Sequence, residues 1–368
     1  MTASIVGPRL AAKHQSQTAR SRHRWVAIVV LVAAVAVVGC YTSHHRTPFE
    51  GAGDAKTAAS LEPAPAFRYE PQPVPFTNHV ARYGSRSHYT LRELEMPSYG
   101  DNGQPEPLIK ASYYKSNVPG RHPMVIVSPI WGTFTYPPRK ISSFIQNHSR
   151  GEVHVLHVHG ERYLIDWEGL AAAEDEEQFR QVWRDGIEHQ RVTVIDFRRL
   201  IDWAEQRPEI DPEKIGFIGF SFGAVVGGTL LTQEPRLAAA VLVMGGTKQH
   251  KILAHCDGER TTRVQDKVAA DFGWTPDDLE AELEPIMRVM DASLYTGRAD
   301  PSTIFLIDAG EDSCIVEDSR EALWEALGRP ERMTMNYGHR KAFYSITPLG
   351  FNWMRHRIWD FFEDKLLD

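Results

Sequence analysis

The sequence lacks the positive charge that a polyanion requires. Its 41 Lys and Arg stand against 48 Asp and Glu. Five of the basic residues (Arg9, Lys13, Arg20, Arg22 and Arg24) fall within residues 1–39, which hold no acid. The remaining 36 basic against 48 acidic residues leave the rest of the chain at −12. Phosphate backbones are bound by basic patches, and none is present, so nucleic acid is excluded as a partner. Internal repeats are absent. The glycine pairs Gly227-Gly228 and Gly245-Gly246 have no phosphate-loop spacing, and close packing and a strand-end turn account for them. The histidines of "HVLHVHG" (His154, His157 and His159) fall short of the metal-binding pattern H-x-H-x-D-H, because Glu161 and Arg162 break it. Ordinary hydrogen-bonded strand-end histidines are expected there, with His159 or Glu161 placed to line a pocket. No metal or cofactor is implied.

Long apolar runs are also missing. "WVAIVVLVAAVAVV", Trp25 to Val38, has 14 residues, the length of a signal-peptide apolar region and short for a membrane span. It follows the basic cluster and ends in Val37-Val38-Gly39-Cys40. This resembles a bacterial lipobox, which implies lipidation of Cys40 and cleavage before it; an uncleaved signal anchor is the alternative. Either way the body lies outside the cytoplasmic membrane, lipid-anchored to it under the first reading. Tyr41 is not the Asp that suggests inner-membrane retention, which favours an outer membrane where the cell has one. Residues 41–75 are rich in Pro, Ala, Gly and Thr without periodicity and read as a flexible tether. The expected organisation is a signal over 1–39, a tether over 40–75 and one domain over 76–368.

In that domain, "HYTLRELEMPS" and "PLIKASYYKS" alternate as half-buried antiparallel strands do. "HPMVIVSPIWG" and "EVHVLHVHG" are continuous apolar runs, the pattern of strands buried on both faces. A helix is expected between them, over about 138–148. A long helix is expected over about 175–206, its acidic start (Glu174 to Glu177) solvated. "DPEKIGFIGF" reads as a turn and a strand, and "GAVVGGTLLTQ" as a helix. "LAAAVLVMGG", "STIFLIDAG" and "RMTMNYG" read as further strands, "EDSREALWEALG" as a helix stopped by Gly328, and the chain after about 348 as a last helix. This alternation predicts an α/β fold with a mostly parallel sheet covered on both faces. One insertion, 247–301, contains two helical patterns. The second starts at Thr275 with Pro276 and acids in its first turn. An insertion there is placed to form a lid, with Trp274, Met287 and Met290 as its core.

The sharpest stretch is "KIGFIGFSFGAVVGGTLL", Lys214 to Leu231. Ser221 stands between two Phe residues bracketed by Gly219 and Gly223, where a buried strand becomes a buried helix. A turn that tight exposes the hydroxyl and leaves no room for a Cβ on either flank. The N–H of Phe222 then opens a helix, aimed where an oxyanion would form. A Ser nucleophile needs a base, and the base an orienting acid. Asp312, within "GEDSCIV", and His339, within "NYGHRKAF", follow in the order this scaffold uses. Asp308 and Glu311 are the other acids near that strand. Asp312 is favoured, because a loop residue two past a Gly reaches over the strand tops, whereas Asp308 is still in the strand.

From about residue 85 to the end the chain resembles the α/β-hydrolase family. The matching motifs are GFSFG, the G-x-D-x-x-[IV] stretch at Gly310–Ile315, and Gly338-His339. The resemblance implies an α/β-hydrolase fold with a small helical lid and a catalytic triad of Ser221, Asp312 and His339. It implies a hydrolase cleaving a carboxylic ester, small-molecule or lipid-like, through an acyl-serine. A peptidase or acyltransferase on the same scaffold, or a surface lipoprotein that only binds, are the alternatives. The second oxyanion donor is expected from Pro129-Ile130-Trp131-Gly132. This loop is similar to that of dienelactone-hydrolase-like proteins, which maps the donor to Ile130, with Trp131 as alternative. Those proteins carry an acid where Pro129 stands and a Cys where Ser221 stands, so their substrate does not carry over. Cys256 and Cys314 are left either bridged, tying lid to acid loop, or free.

Overall fold

The structure is a computed structural model. It describes residues 44–49, 62–71, 77–80, 88–100, 108–130, 136–160, 165–344 and 353–368. The expectations for residues 1–43, Cys40 among them, and for Trp131, Glu161 and Arg162 lie outside the described residues. The unit described here runs from His44 to Asp368.

Its strands are β1 (His44–Thr47), β2 (Thr77–Val80), β3 (Tyr89–Pro97), β4 (Leu108–Ser116), β5 (His122–Val127), β6 (His154–Val158), β7 (Ile210–Phe220), β8 (Leu237–Val243), β9 (Ile304–Ala309) and β10 (Glu331–Met335). They form one sheet in the order β1-β10-β9-β8-β7-β5-β6-β4-β3-β2. The six strands from β10 to β6 in that order are mutually parallel. Strands β2, β3 and β4 join antiparallel at one end and β1 at the other. From β5 the chain steps outward to β6, then crosses back to β7 and continues to β8. The order therefore reverses between β5 and β7, and a crevice opens there at the C-terminal strand ends.

Side chains alternate across the sheet. Ile215 and Phe217 of β7, with Ala240 and Leu242 of β8, meet one helical layer. That layer is α3 (Glu176–Glu205) and α4 (Phe222–Gln233). Ile218 and Phe220, with Ala239, Val241 and Val243, meet the other. That layer is α1 (Tyr136–His148) and α10 (Trp353–Leu366). Ile195, Leu200, Ile201 and Trp203 of α3 are all buried. The acidic start of α3 works as a cap: Asp175 accepts the Gln178 N–H at 2.8 Å.

Three expectations differ from the structure. The segment 40–75 is not wholly a tether. Strand β1 pairs with β10, and a short 3-10 turn, Pro65–Phe67, buries Phe67. Arg191 donates to the Ala66 carbonyl at 2.6 Å, and Arg198 donates to that of Phe67. Composition missed this because the partners lie far along the chain. The insertion holds three α-helices, not two: α5 (Gln249–His255), α6 (Glu259–Phe272) and α7 (Pro276–Met287). Helix α5 follows Lys248, which sits in the left-handed region at φ 53° and makes no side-chain cap, so it carries no start signal. Helix α7 starts as expected, with a Thr275–Asp278 capping box. Finally, helices α2 (Trp167–Ala172) and α9 (His339–Tyr344) were not expected. At six residues each they are too short to show a period. Helix α8 (Glu317–Ala326) completes the described helices.

Candidate active site

Strand β7 ends at the crevice, and Ser221 is the next residue. Its backbone is held at φ 50° and ψ −120°. That strained region costs on the order of 1–3 kcal/mol for a residue with a side chain. The surroundings enforce it. The Ser221 N–H donates to the Val243 carbonyl at 2.8 Å, and the Ser221 carbonyl accepts from Ala224 and Val225. A Cβ on Gly219 would lie 2.3 Å from the Gly223 carbonyl oxygen, and one on Gly223 would lie 2.3 Å from that of Pro129. Both positions therefore require glycine. The second contact also places the loop after β5, which carries Ile130, directly against the turn. The Phe222 N–H belongs to the first turn of α4, whose donors have no intrahelical partner.

Ser221 Oγ lies 2.9 Å from His339 Nε2. His339 Nδ1 lies 2.6 Å from Asp312 Oδ2. Nδ1–H donates to the carboxylate, so Nε2 carries the lone pair that accepts the Ser221 hydroxyl proton. The other oxygen of Asp312 accepts the Cys314 and Ile315 N–H groups, each at 2.9 Å. Asp308 is elsewhere: it accepts from Arg332 Nε at 2.6 Å within the fold. Burial pushes its carboxyl up, and the Arg332 guanidinium opposes the shift. Sequence reading missed Arg320. It is buried, and its guanidinium donates to the carbonyls of Ile315, Asp312 and Gly310. In the sequence it looks like one more charged residue of an amphipathic helix. Cys256 and Cys314 form a disulfide that ties the start of the insertion to the acid loop.

Two spaces meet at Ser221. An inner pocket of about 50 Å³ is almost wholly apolar, walled by Phe222, Val225, Ile252, Leu253 and Ile315. An outer cleft of about 750 Å³ is open and mixed in polarity; Ile130, Arg260, Glu311 and Lys341 are among its walls. Trp167 borders both. Trp274, Met287 and Met290 instead pack into the hydrophobic core.

The histidines of β6 divide. His154 Nδ1 accepts the Ser116 N–H at 2.9 Å, and its Nε2–H donates to the Glu209 carbonyl at 3.0 Å. Burial lowers its pKa to about 4. His157 is buried, its Nε2 has no hydrogen-bond partner among the described residues, and burial lowers its pKa to about 3. His159 Nε2 lies 2.8 Å from Ser112 Oγ. Among the described residues no group of three or more His, Cys, Asp or Glu could hold a metal ion.

The architecture has solved counterparts. An acetyl xylan esterase from Paenibacillus sp. R4 superposes with a TM-score of 0.58 at 13% identity, covering 89% of this chain and 98% of that one. Acetyl xylan esterase 1 from Thermoanaerobacterium sp. JW/SL YS485 gives 0.53 at 14%, covering 83% and 90%. This is the α/β-hydrolase fold. A Pyrococcus horikoshii acylaminoacyl peptidase shares the hydrolase fold, at a TM-score of 0.52 and 15% identity over 76% of this chain and 42% of that one. The family model for the dienelactone hydrolase family matches residues 158–272. That segment includes the Ser221 turn of the hydrolase fold and stops before Asp312 and His339. No curated protein matches the chain.

Proposed function

We propose that the protein hydrolyses carboxylic esters of short acyl groups through an acyl-Ser221 intermediate. The observation that carries this is the hydrogen-bonded chain Ser221–His339–Asp312, set on a strained turn at the reversal of the sheet. Ser221 Oγ attacks the ester carbonyl carbon as its proton passes to His339 Nε2. Asp312 holds the tautomer and stabilises the imidazolium. The N–H groups of Phe222 and Ile130 receive the oxyanion. Collapse of the tetrahedral species breaks the bond to the alcohol oxygen, which takes the proton from His339 and leaves. Water then repeats the sequence on the acyl-enzyme, and the carboxylic acid departs.

The different character of the two spaces supports a division of the substrate between them. The alcohol departs first and needs an open path, which the outer cleft supplies. The acyl group is apolar and fits the inner pocket. At about 50 Å³ the pocket is small, so a short acyl group such as acetyl suits it better than a long chain. Acetyl is also the group for which the two xylan esterases of this fold are named. The test is a series of p-nitrophenyl esters from acetate to decanoate, with Ser221→Ala alongside. Values of kcat/KM should fall at least about tenfold between acetate and hexanoate, and Ser221→Ala should lose at least about 10³-fold. A maximum at octanoate or longer would contradict the acyl assignment, and an active Ser221→Ala the nucleophile.

The proposal includes a lipid anchor at Cys40 that holds the enzyme on the outer face of the cytoplasmic membrane or on the outer membrane. The basic cluster, the short apolar run and Val37-Val38-Gly39-Cys40 support it. Among the described residues no helix is long and apolar enough to cross a membrane. Cys40→Ser should abolish both processing and fatty-acid labelling; palmitate labelling that survives the change would sink the anchor.

A further inference from the structure

The cleft beside Ser221 continues past Trp167. Helices α2 and α6 border a further groove of about 410 Å³, whose walls include Trp167 and Arg260. The same two residues wall the outer cleft, and Trp167 also borders the acyl pocket. A single indole therefore adjoins the acyl pocket, the alcohol cleft and the groove. The volume lies within the range of sites that enclose small ligands.

The two sides of the groove differ in charge. From α2 and the residue before it come Glu168 and Asp166; from α6 come Arg260, Arg263 and Lys267. Spacings of three and four residues place these three cations on one face of α6. The row is not bare positive charge: Arg263 pairs with Glu259, and Lys267 with Asp271 at 2.6 Å. Asp166 accepts the Gly169 N–H at 2.9 Å with one of its two oxygens. A polyanion would meet the carboxylates of one wall, and an alkyl chain would strip water from charged groups on both. A neutral polyol matches: its hydroxyls donate to carboxylates and accept from guanidinium and ammonium groups, and the C–H face of a sugar ring lies well on an indole.

We infer that this groove is a second subsite for the alcohol half of the substrate, which is an oligosaccharide. The acylated sugar sits in the outer cleft, and the next one or two units run past Trp167 between α2 and α6. Trp167 is then the residue that sets specificity for chain length. This rests on the ester-cleaving reading of Ser221 and adds the chemistry of the leaving group.

The experiment separates the two claims. Binding is measured by titration calorimetry on the full protein carrying Ser221→Ala, with xylose, xylotriose and cellotriose as ligands. At least one trisaccharide should bind tenfold or more tightly than xylose. Trp167→Ala and, separately, Arg263→Ala in that background should each cut this gain to threefold or less. Trp167→Phe, which keeps an aromatic surface, should retain part of it and guards against misfolding of the alanine variant. Equal affinity for xylose and both trisaccharides, or a gain untouched by all three substitutions, overturns the subsite. Wild-type turnover of p-nitrophenyl acetate is measured alongside. Turnover without trisaccharide preference refutes the subsite alone; tight trisaccharide binding without turnover refutes the esterase reading alone.

Discussion

At the scale of single residues, two aspartates four positions apart have opposite surroundings. Asp312 has one oxygen on His339 and the other on two backbone N–H groups. Asp308 is buried against Arg332. Replacing each by Asn should therefore separate catalysis from stability. Asp312→Asn removes the acceptor that fixes the His339 tautomer, so kcat should fall by about 10³-fold or more with little change in Tm. The double variant with His339→Ala should lose little more than either single change, because the residues act as a unit. Asp308→Asn should retain kcat per folded molecule and lose about 1–3 kcal/mol of stability, because Arg332 loses its buried carboxylate and keeps only the part-exposed Glu321. Steady-state kinetics and thermal melts on the pair check both halves, and the opposite pattern would reassign the acid.

At the scale of elements, the turn after β7 and the bridged acid loop hold the site together. Gly223→Ala would place a methyl group 2.3 Å from the Pro129 carbonyl. A backbone atom cannot swing aside, so the loop carrying Ile130 must move. The expected cost is about 1–3 kcal/mol or more in stability, together with a loss of kcat larger than any rise in KM. The Cys256–Cys314 bridge closes 58 residues. Its loss is worth up to about 4 kcal/mol on the chain-entropy view. Cys314 also donates its N–H to Asp312. Cys256→Ser should thus lower both Tm and kcat, the latter less than Asp312→Asn does; unchanged kcat would mean that the acid loop stands without the bridge.

Most of the core elements and the Ser, Asp and His positions were legible, because each carries a local signal. Continuous apolar runs mark the central strands, and two glycines mark the turn. Asp312 was readable over Asp308 from its place past Gly310. What was not legible depends on partners distant in sequence. Phe67 looks like part of a loose linker until Arg191 and Arg198 are seen holding its turn. Arg320 looks like helix surface until its guanidinium is seen under the acid loop. Trp167 lies in a six-residue helix with no period, and only the cavities around it give it a role.

At the scale of the whole molecule, acid sensitivity should be set in part by the buried histidines. His154 has a folded pKa of about 4 against an ordinary 6.5. Its neutral form fits because Nδ1 accepts a backbone N–H and cannot also carry a proton. The stability tied to this group is complete above pH 6.5 and is lost as pH falls through that value toward 4. The loss is on the order of 3 kcal/mol. His157, lowered to about 3, acts in the same direction. Asp196, raised to about 6 by burial, opposes them over part of the range. His154→Gln leaves these other groups in place, so the difference between variant and wild type isolates His154. The variant should be less stable at pH 7.5 and should lose less stability on going to pH 4.5. Equal pH slopes in urea melts would remove His154 from the account.

A Ser221 nucleophile activated by His339 can be trapped covalently. The full-length protein is treated with a fluorophosphonate, digested, and mapped by mass spectrometry. One adduct per molecule is expected, on the peptide that contains Gly219–Gly223 and at Ser221, with labelling slowed by at least about 10²-fold in His339→Ala. A folded protein that takes no label, or takes it at another residue, would rule out Ser221 as the nucleophile.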